Sequence, residues 1–215
     1  MKKLFYLIVL IIFIIIALFA LWFLYQKSNP APSPTDLEKC ITLEKNSPIG
    51  VNVVLFAKTQ KEAEKYVDYF KNSRPFNEHT NKFNFFYIKD YLPSCELYKG
   101  IAILCYSQEL IKKSSSCPND QIVVINNDFG ASIRSSNYLN VMSLNSKHPL
   151  TVLLHEFGHS FVNLAEEYVP AKIPRNSAGN CVVNCEKFEG RNDGCFEGCS
   201  QADYMRSVEN GVMRT

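Results

Sequence analysis

The 215-residue chain has one tryptophan, four histidines and almost no net charge, formally +2. It contains no second long uncharged run, no internal repeat, no low-complexity tract and no Asn-x-Ser/Thr acceptor. Each absence removes a class of protein. Without a second apolar run, a multi-span membrane protein is excluded. Setting aside Lys2, Lys3 and Lys27, residues 28–215 carry 20 basic and 21 acidic side chains. Such a domain offers no basic footprint for nucleic acid. An apolar content of 47% excludes a mostly disordered chain. The missing glycosylation acceptor leans toward a prokaryotic cell envelope.

Much of that apolar content is concentrated in residues 4–25 (LFYLIVLIIFIIIALFALWFLY), 22 in a row and including Trp22, the only tryptophan. As a helix at ~1.5 Å per residue it reaches ~33 Å, enough to cross a hydrocarbon core of ~30 Å. A cleaved signal peptide normally has a shorter apolar region and ends in a small-x-small site, which Ala17 and Ala20 do not supply. The expectation is a single-pass membrane protein. Residues 1–3 form a cytoplasmic tip, 4–25 a transmembrane helix, and 26–48, with Pro30, Pro32, Pro34 and Pro48, an extended linker. Residues 49–215 then form an extracytoplasmic domain at the cell surface.

All eight cysteines lie beyond the apolar run: Cys40, Cys95, Cys105, Cys117, Cys181, Cys185, Cys195 and Cys199. An even number on a translocated domain reads as disulfides, with connectivity open. The last four, two Cys-x3-Cys pairs nine residues apart, admit a structural zinc site as the rival reading.

Within the domain, residues 50–57, 82–89 and 120–126 read as strands and 60–71 as a charged helix. Residues 101–112 fit strand or helix, and 131–143 suggest a short edge strand. Residues 126–136 are a candidate cleft rim for strand addition by an extended substrate, or simply an exposed hairpin. Beyond residue 168 glycine, proline and cysteine dominate, so loops are expected. The fold class is α/β, a small mixed sheet with helices.

The chemistry is concentrated in 148–168, HPLTVLLHEFGHSFVNLAEEY. Pro149 suits a first helical turn, and Leu153, Phe157, Phe161 and Leu164 make an apolar stripe. His155 and His159, four apart, share another face and can reach one metal ion. Glu156 projects about 100° round the helix from His155, placing a general base beside that ion. Two histidines on a solvated face are the bland alternative. A third ligand is needed, and on a continuous helix Glu166 would lie about 10 Å past His159. A break at Asn163, a residue that tolerates left-handed backbone, can return Glu166 to the ion. Glu167 is the alternative ligand and His79 a more distant one.

HEFGHSFVNLAEEY resembles the His-Glu-x-Gly-His-Ser-Phe-Gly-Gly-Leu-Ala-Asp-Glu-Tyr pattern of the IgA-peptidase family of zinc metallopeptidases. Residues 74–88, 117–130 and ENGVMRT (209–215) look like other segments of that family, so the resemblance covers roughly 50–215. It implies a metzincin-like zinc peptidase domain with one catalytic zinc ion. His155, His159 and Glu166 would be ligands, Glu156 the general base and Met213 the methionine of a turn beneath the metal. Val162 and Asn163 stand where the family has Gly-Gly, and the chain ends two residues after Met213, so antibody cleavage is not expected. Tyr168 and Tyr204 are candidate donors to an oxyanion or substrate, or structural groups. The expected activity is hydrolysis of a peptide or protein substrate. The alternatives are a non-catalytic surface module that keeps the metal and a zinc amidase acting on cell-wall substrates.

Overall fold

The structure is a computed structural model that describes residues 11–12, 14–22, 38–171, 178–188 and 194–214. The chain divides into two units, Met1–Leu37 and Glu38–Thr215. In the first, helical backbone is described at residues 11–12 and 14–22. No helix among the described residues is long and apolar enough to cross a membrane. The expected transmembrane helix over 4–25, and the single-pass membrane location built on it, are corrected accordingly. Residues 1–10, 13 and 23–37 lie outside the described residues.

The second unit is built on a six-stranded mixed sheet. Its strands are β1 (Lys39–Lys45), β2 (Val51–Phe56), β3 (Phe83–Lys89), β6 (Gln121–Asn126), β7 (Ser136–Tyr138) and β8 (Val141–Asn145), in the order β1-β3-β2-β6-β8-β7. The four central strands run parallel, and each edge strand runs antiparallel to its neighbour. Parallel strands covered on both faces should be apolar throughout, and β6 is buried at all six positions. Val123 and Ile125 of β6 point to one core, Ile122 and Val124 to the other.

One face carries α1 (Gln60–Asn72) and α3 (Thr151–Val162). Thr59 caps α1 by accepting from the Glu62 N–H, and Ala63, Tyr66, Val67 and Phe70 form its buried stripe. The opposite face carries α2 (Gln108–Ser114), capped by Ser107, and the hairpin of β4 (Glu96–Tyr98) and β5 (Ala102–Leu104). Two disulfides, Cys40–Cys117 and Cys95–Cys105, stitch that second face. The remaining two, Cys181–Cys199 and Cys185–Cys195, close the C-terminal region around the hairpin of β9 (Phe196–Cys199) and β10 (Gln201–Arg206). Every cysteine is paired, which removes the reading of the last four as zinc ligands.

Several expectations change. Residues 39–45, assigned by their proline-rich surroundings to a linker, form edge strand β1 with Cys40 tied into the core. The short edge strand expected within 131–143 is β7, and the same segment also begins a second strand, β8, which is internal. The ambiguous 101–112 segment contains both β5 and the start of α2. The candidate rim at 126–136 is already engaged at Arg134, whose N–H and carbonyl pair with Ile101 and Ile103 at 2.9 Å each.

Phe157 fixes α3 in place. It is 1% exposed, and its ring lies 5.0 Å from Phe70, 5.4 Å from Phe76 and 6.1 Å from Phe83. The apolar stripe of α3 holds at Leu153 and Phe157 but opens at Phe161, which is 43% exposed at the sheet margin. Phe157→Ala should therefore cost about 3–5 kcal/mol of stability, measured by denaturant unfolding of the oxidised protein, whereas Phe161→Ala should cost much less.

Candidate metal centre

The histidine-bearing helix ends where a left-handed residue stops it. Asn163 has φ 53° and ψ 39°, and its N–H and that of Leu164 both turn back onto the Gly158 carbonyl. Asparagine takes this conformation at less cost than most side chains, so the chain reverses within three residues. Glu166 then faces the helix again. Its Oε2 lies 3.1 Å from His155 Nε2 and its Oε1 3.2 Å from His159 Nε2, while the two Nε2 atoms are 3.2 Å apart. Among the described residues this is the group whose ligand atoms sit close enough to hold one metal ion.

The donor atoms are also oriented. His155 Nδ1 donates to the Val212 carbonyl at 2.9 Å and His159 Nδ1 to the Leu164 carbonyl at 2.7 Å. Spending each Nδ1–H on a carbonyl leaves the Nε2 atoms directed at the shared point, where a metal would replace any proton on them. Glu166 Oε2, although 3.1 Å from an imidazole nitrogen, is buried without a hydrogen bond of good geometry. A buried carboxylate oxygen in that state needs a cationic partner. Ligands 2.0–2.1 Å from a tetrahedral ion stand about 3.3 Å from one another, close to the separations found here. Two imidazoles and one carboxylate are the donor set of catalytic zinc sites and of non-haem iron sites. The residues therefore fit a first-row divalent cation.

Charge in the cluster is strongly coupled. Burial pushes the His155 imidazole toward neutrality, but the Glu166 carboxylate 3.1 Å away, with lesser help from Glu156 and the Val212 carbonyl, raises its pKa to about 9. Burial raises Glu166 in turn, and the two histidines outweigh it, lowering its pKa to about 2.

The adjacent acids part company. Glu167 is 4% exposed and turns to the other side, accepting from Asn180 Nδ2 at 3.1 Å, with Arg206 and Arg214 acting on its charge. Burial nevertheless keeps its carboxyl above the usual range. It stands outside the cluster, as does His79, in a 3-10 turn before β3. Glu156 is 6% exposed on the helix turn between the two histidines and acts electrostatically on His155.

Met213 is 2% exposed beneath the helix. A Cβ on Gly158 would come within 2.6 Å of its Sδ, so the glycine of the motif is the space the methionine occupies. The Met213 carbonyl accepts the Glu167 N–H at 2.8 Å. Tyr168 lies beside Glu166 and Arg134; burial and the Glu166 charge push its pKa up to about 12, so the phenol stays protonated at neutral pH. Tyr204 packs instead on the small cluster of Ala165, Ala178, Cys181 and Cys199.

Comparison of the chain with protein-family models and with curated proteins finds no match. The site stands on its own residues.

A groove of about 400 Å³ opens at the carboxyl ends of β2 and β3, lined by Ala57, Lys58, Thr59, Tyr87 and Tyr91 among others. None of the cluster residues lines it, and Thr59 and the Lys58 N–H are already engaged by Glu62 of the helix cap. It is not the metal centre. Motif spacing points to the cluster's ligands, whereas Asn180, Arg134 and the Val212 and Leu164 carbonyls carry no such signal.

The turn at Asn163 makes a sharp prediction. Asn163→Gly should keep wild-type stability, because glycine adopts φ > 0 freely. Asn163→Val should cost about 1–2 kcal/mol, read by thermal unfolding of the oxidised protein.

Proposed function

We propose that the chain is a zinc-dependent hydrolase that cleaves peptide bonds, with His155, His159 and Glu166 holding the ion. The observation that supports this most directly is the convergence of His155 Nε2, His159 Nε2 and the Glu166 carboxylate, at contacts of 3.1–3.2 Å, beside a buried carboxylate, Glu156, on the helix that carries both histidines. A structural cation needs no base at that position. The resemblance of HEFGHSFVNLAEEY to the IgA-peptidase pattern points the same way.

Zinc, when bound, polarises a scissile carbonyl and brings the pKa of a water near 7. Glu156 is the group that takes the proton from the attacking water and passes it to the leaving amine nitrogen. Val212 and Leu164 hold the imidazole tautomers through their carbonyls, and Tyr168 steadies the Glu166 carboxylate. In this reading Tyr168 is a positioning residue rather than the oxyanion donor.

The test is Glu156→Gln in the oxidised protein. Zinc content should stay at one ion per chain while cleavage of a peptide library falls about 10²–10⁴-fold. Full cleavage by the zinc-loaded variant would sink this assignment. A wild-type protein that binds zinc and cleaves no peptide would instead be a non-catalytic metal module or an amidase.

A further inference from the structure

The third candidate ligand sits on a segment with no regular structure of its own. Residues 163–168 follow the helix end, and Glu166 is only partly buried there. Apart from the helix cap and the Leu164 carbonyl, which accepts from His159 Nδ1, the backbone of this segment is held from the C-terminal region. Asn180 brackets Ala165, its Oδ1 accepting the Ala165 N–H and its Nδ2 donating to the Ala165 carbonyl, both at 2.9 Å. Ser200 Oγ donates to the Glu166 carbonyl at 2.7 Å. Both sulfurs of the Cys181–Cys199 disulfide lie against that same carbonyl, at 3.7 and 3.8 Å. The Glu167 N–H is fixed by the Met213 carbonyl.

These groups form a built seat. Ser200 is 1% exposed, Cys199 0% and Cys181 6%. Ser200 itself holds a left-handed conformation, φ 63°, at the corner between β9 and β10. That corner aims its hydroxyl at Glu166 while its own carbonyl accepts the Ala171 N–H at 2.9 Å. One residue thus ties down the chain on both sides of the 166–168 turn. The same C-terminal region supplies the Val212 carbonyl that orients His155.

We infer that the cross-linked C-terminal region, acting through Ser200, Asn180 and the Cys181–Cys199 disulfide, is the device that positions Glu166 for metal binding, although it contributes no ligand. The inference rests on the reading of His155, His159 and Glu166 as a metal site. The second disulfide of the region, Cys185–Cys195, touches neither Ala165 nor Glu166 in the contacts described and serves as the internal control. Groups that orient a ligand typically contribute 10–100-fold to metal affinity when removed.

The experiment compares the full-length oxidised chain with Ser200→Ala, Ser200→Gly, Asn180→Asp and the double variant Cys185→Ser/Cys195→Ser. Zinc is titrated against a chromophoric chelator, and cobalt(II) is added to read the ligand field by visible absorption. Ser200→Ala removes only the hydroxyl, and Ser200→Gly is the key comparison, because glycine removes the hydroxymethyl group yet adopts the left-handed backbone without strain, so a loss shared by both variants is not backbone strain. Both Ser200 variants and Asn180→Asp should bind zinc 10–100-fold more weakly and give an altered cobalt spectrum with unchanged far-ultraviolet circular dichroism. The Cys185/Cys195 variant should keep wild-type affinity and spectrum. If Ser200→Ala and Ser200→Gly both match wild type, or if the control loses as much affinity as they do, the positioning role is overturned. If the wild-type chain binds neither zinc nor cobalt, the metal site itself fails and this inference with it.

Discussion

The site depends on one backbone event, the left-handed residue at Asn163. An α-helix carries residues seven apart about 10 Å along its axis, so a continuous helix would separate Glu166 from His159. The reversal at Asn163 replaces that separation with 3.1–3.2 Å contacts. It also frees the Leu164 carbonyl to accept His159 Nδ1–H, so the same turn delivers Glu166 to the cluster and orients His159. A helix one turn longer would lose both.

Two separate parts of the molecule hold the two halves of the cluster. The histidines belong to a helix clamped by aromatic packing against α1 and the sheet, where Phe157 meets Phe70, Phe76 and Phe83. Burial of rings in a well-packed face gives this half most of its rigidity. Glu166 belongs to an irregular segment that buries little apolar surface beyond Ala165, and hydrogen bonds from the cross-linked C-terminal region hold it. Bringing two imidazoles and a carboxylate together in a largely desolvated space is unfavourable unless their charges are matched. The opposed shifts of His155 and Glu166 show that match within the cluster.

Much of the fold was legible because its strands are local and strongly patterned. Residues 50–57, 82–89 and 120–126 correspond to β2, β3 and β6 within a residue or two, since buried parallel strands leave continuous apolar runs. Strand β1 was missed because proline around it reads as a linker, and its place depends on pairing with β3 and on the Cys40–Cys117 link. The apolar run at 4–25 shows the opposite error. Its composition alone suggested a span, and the described helix falls short of one.

Sequence alone placed His155, Glu156 and His159 on one helix, because a 3.6-residue period fixes which neighbours share a face. It also marked Asn163 as the stopping point, from the backbone preference of its side chain. It could not choose between Glu166 and Glu167, since adjacent residues of an irregular segment point different ways only once something holds that segment. Tertiary structure made the choice: Asn180 takes Glu167, and Ser200 with the Cys181–Cys199 pair seats Glu166 toward the histidines. Those partners lie 13 to 34 residues away in the chain. Their roles rest on contacts that no local period encodes.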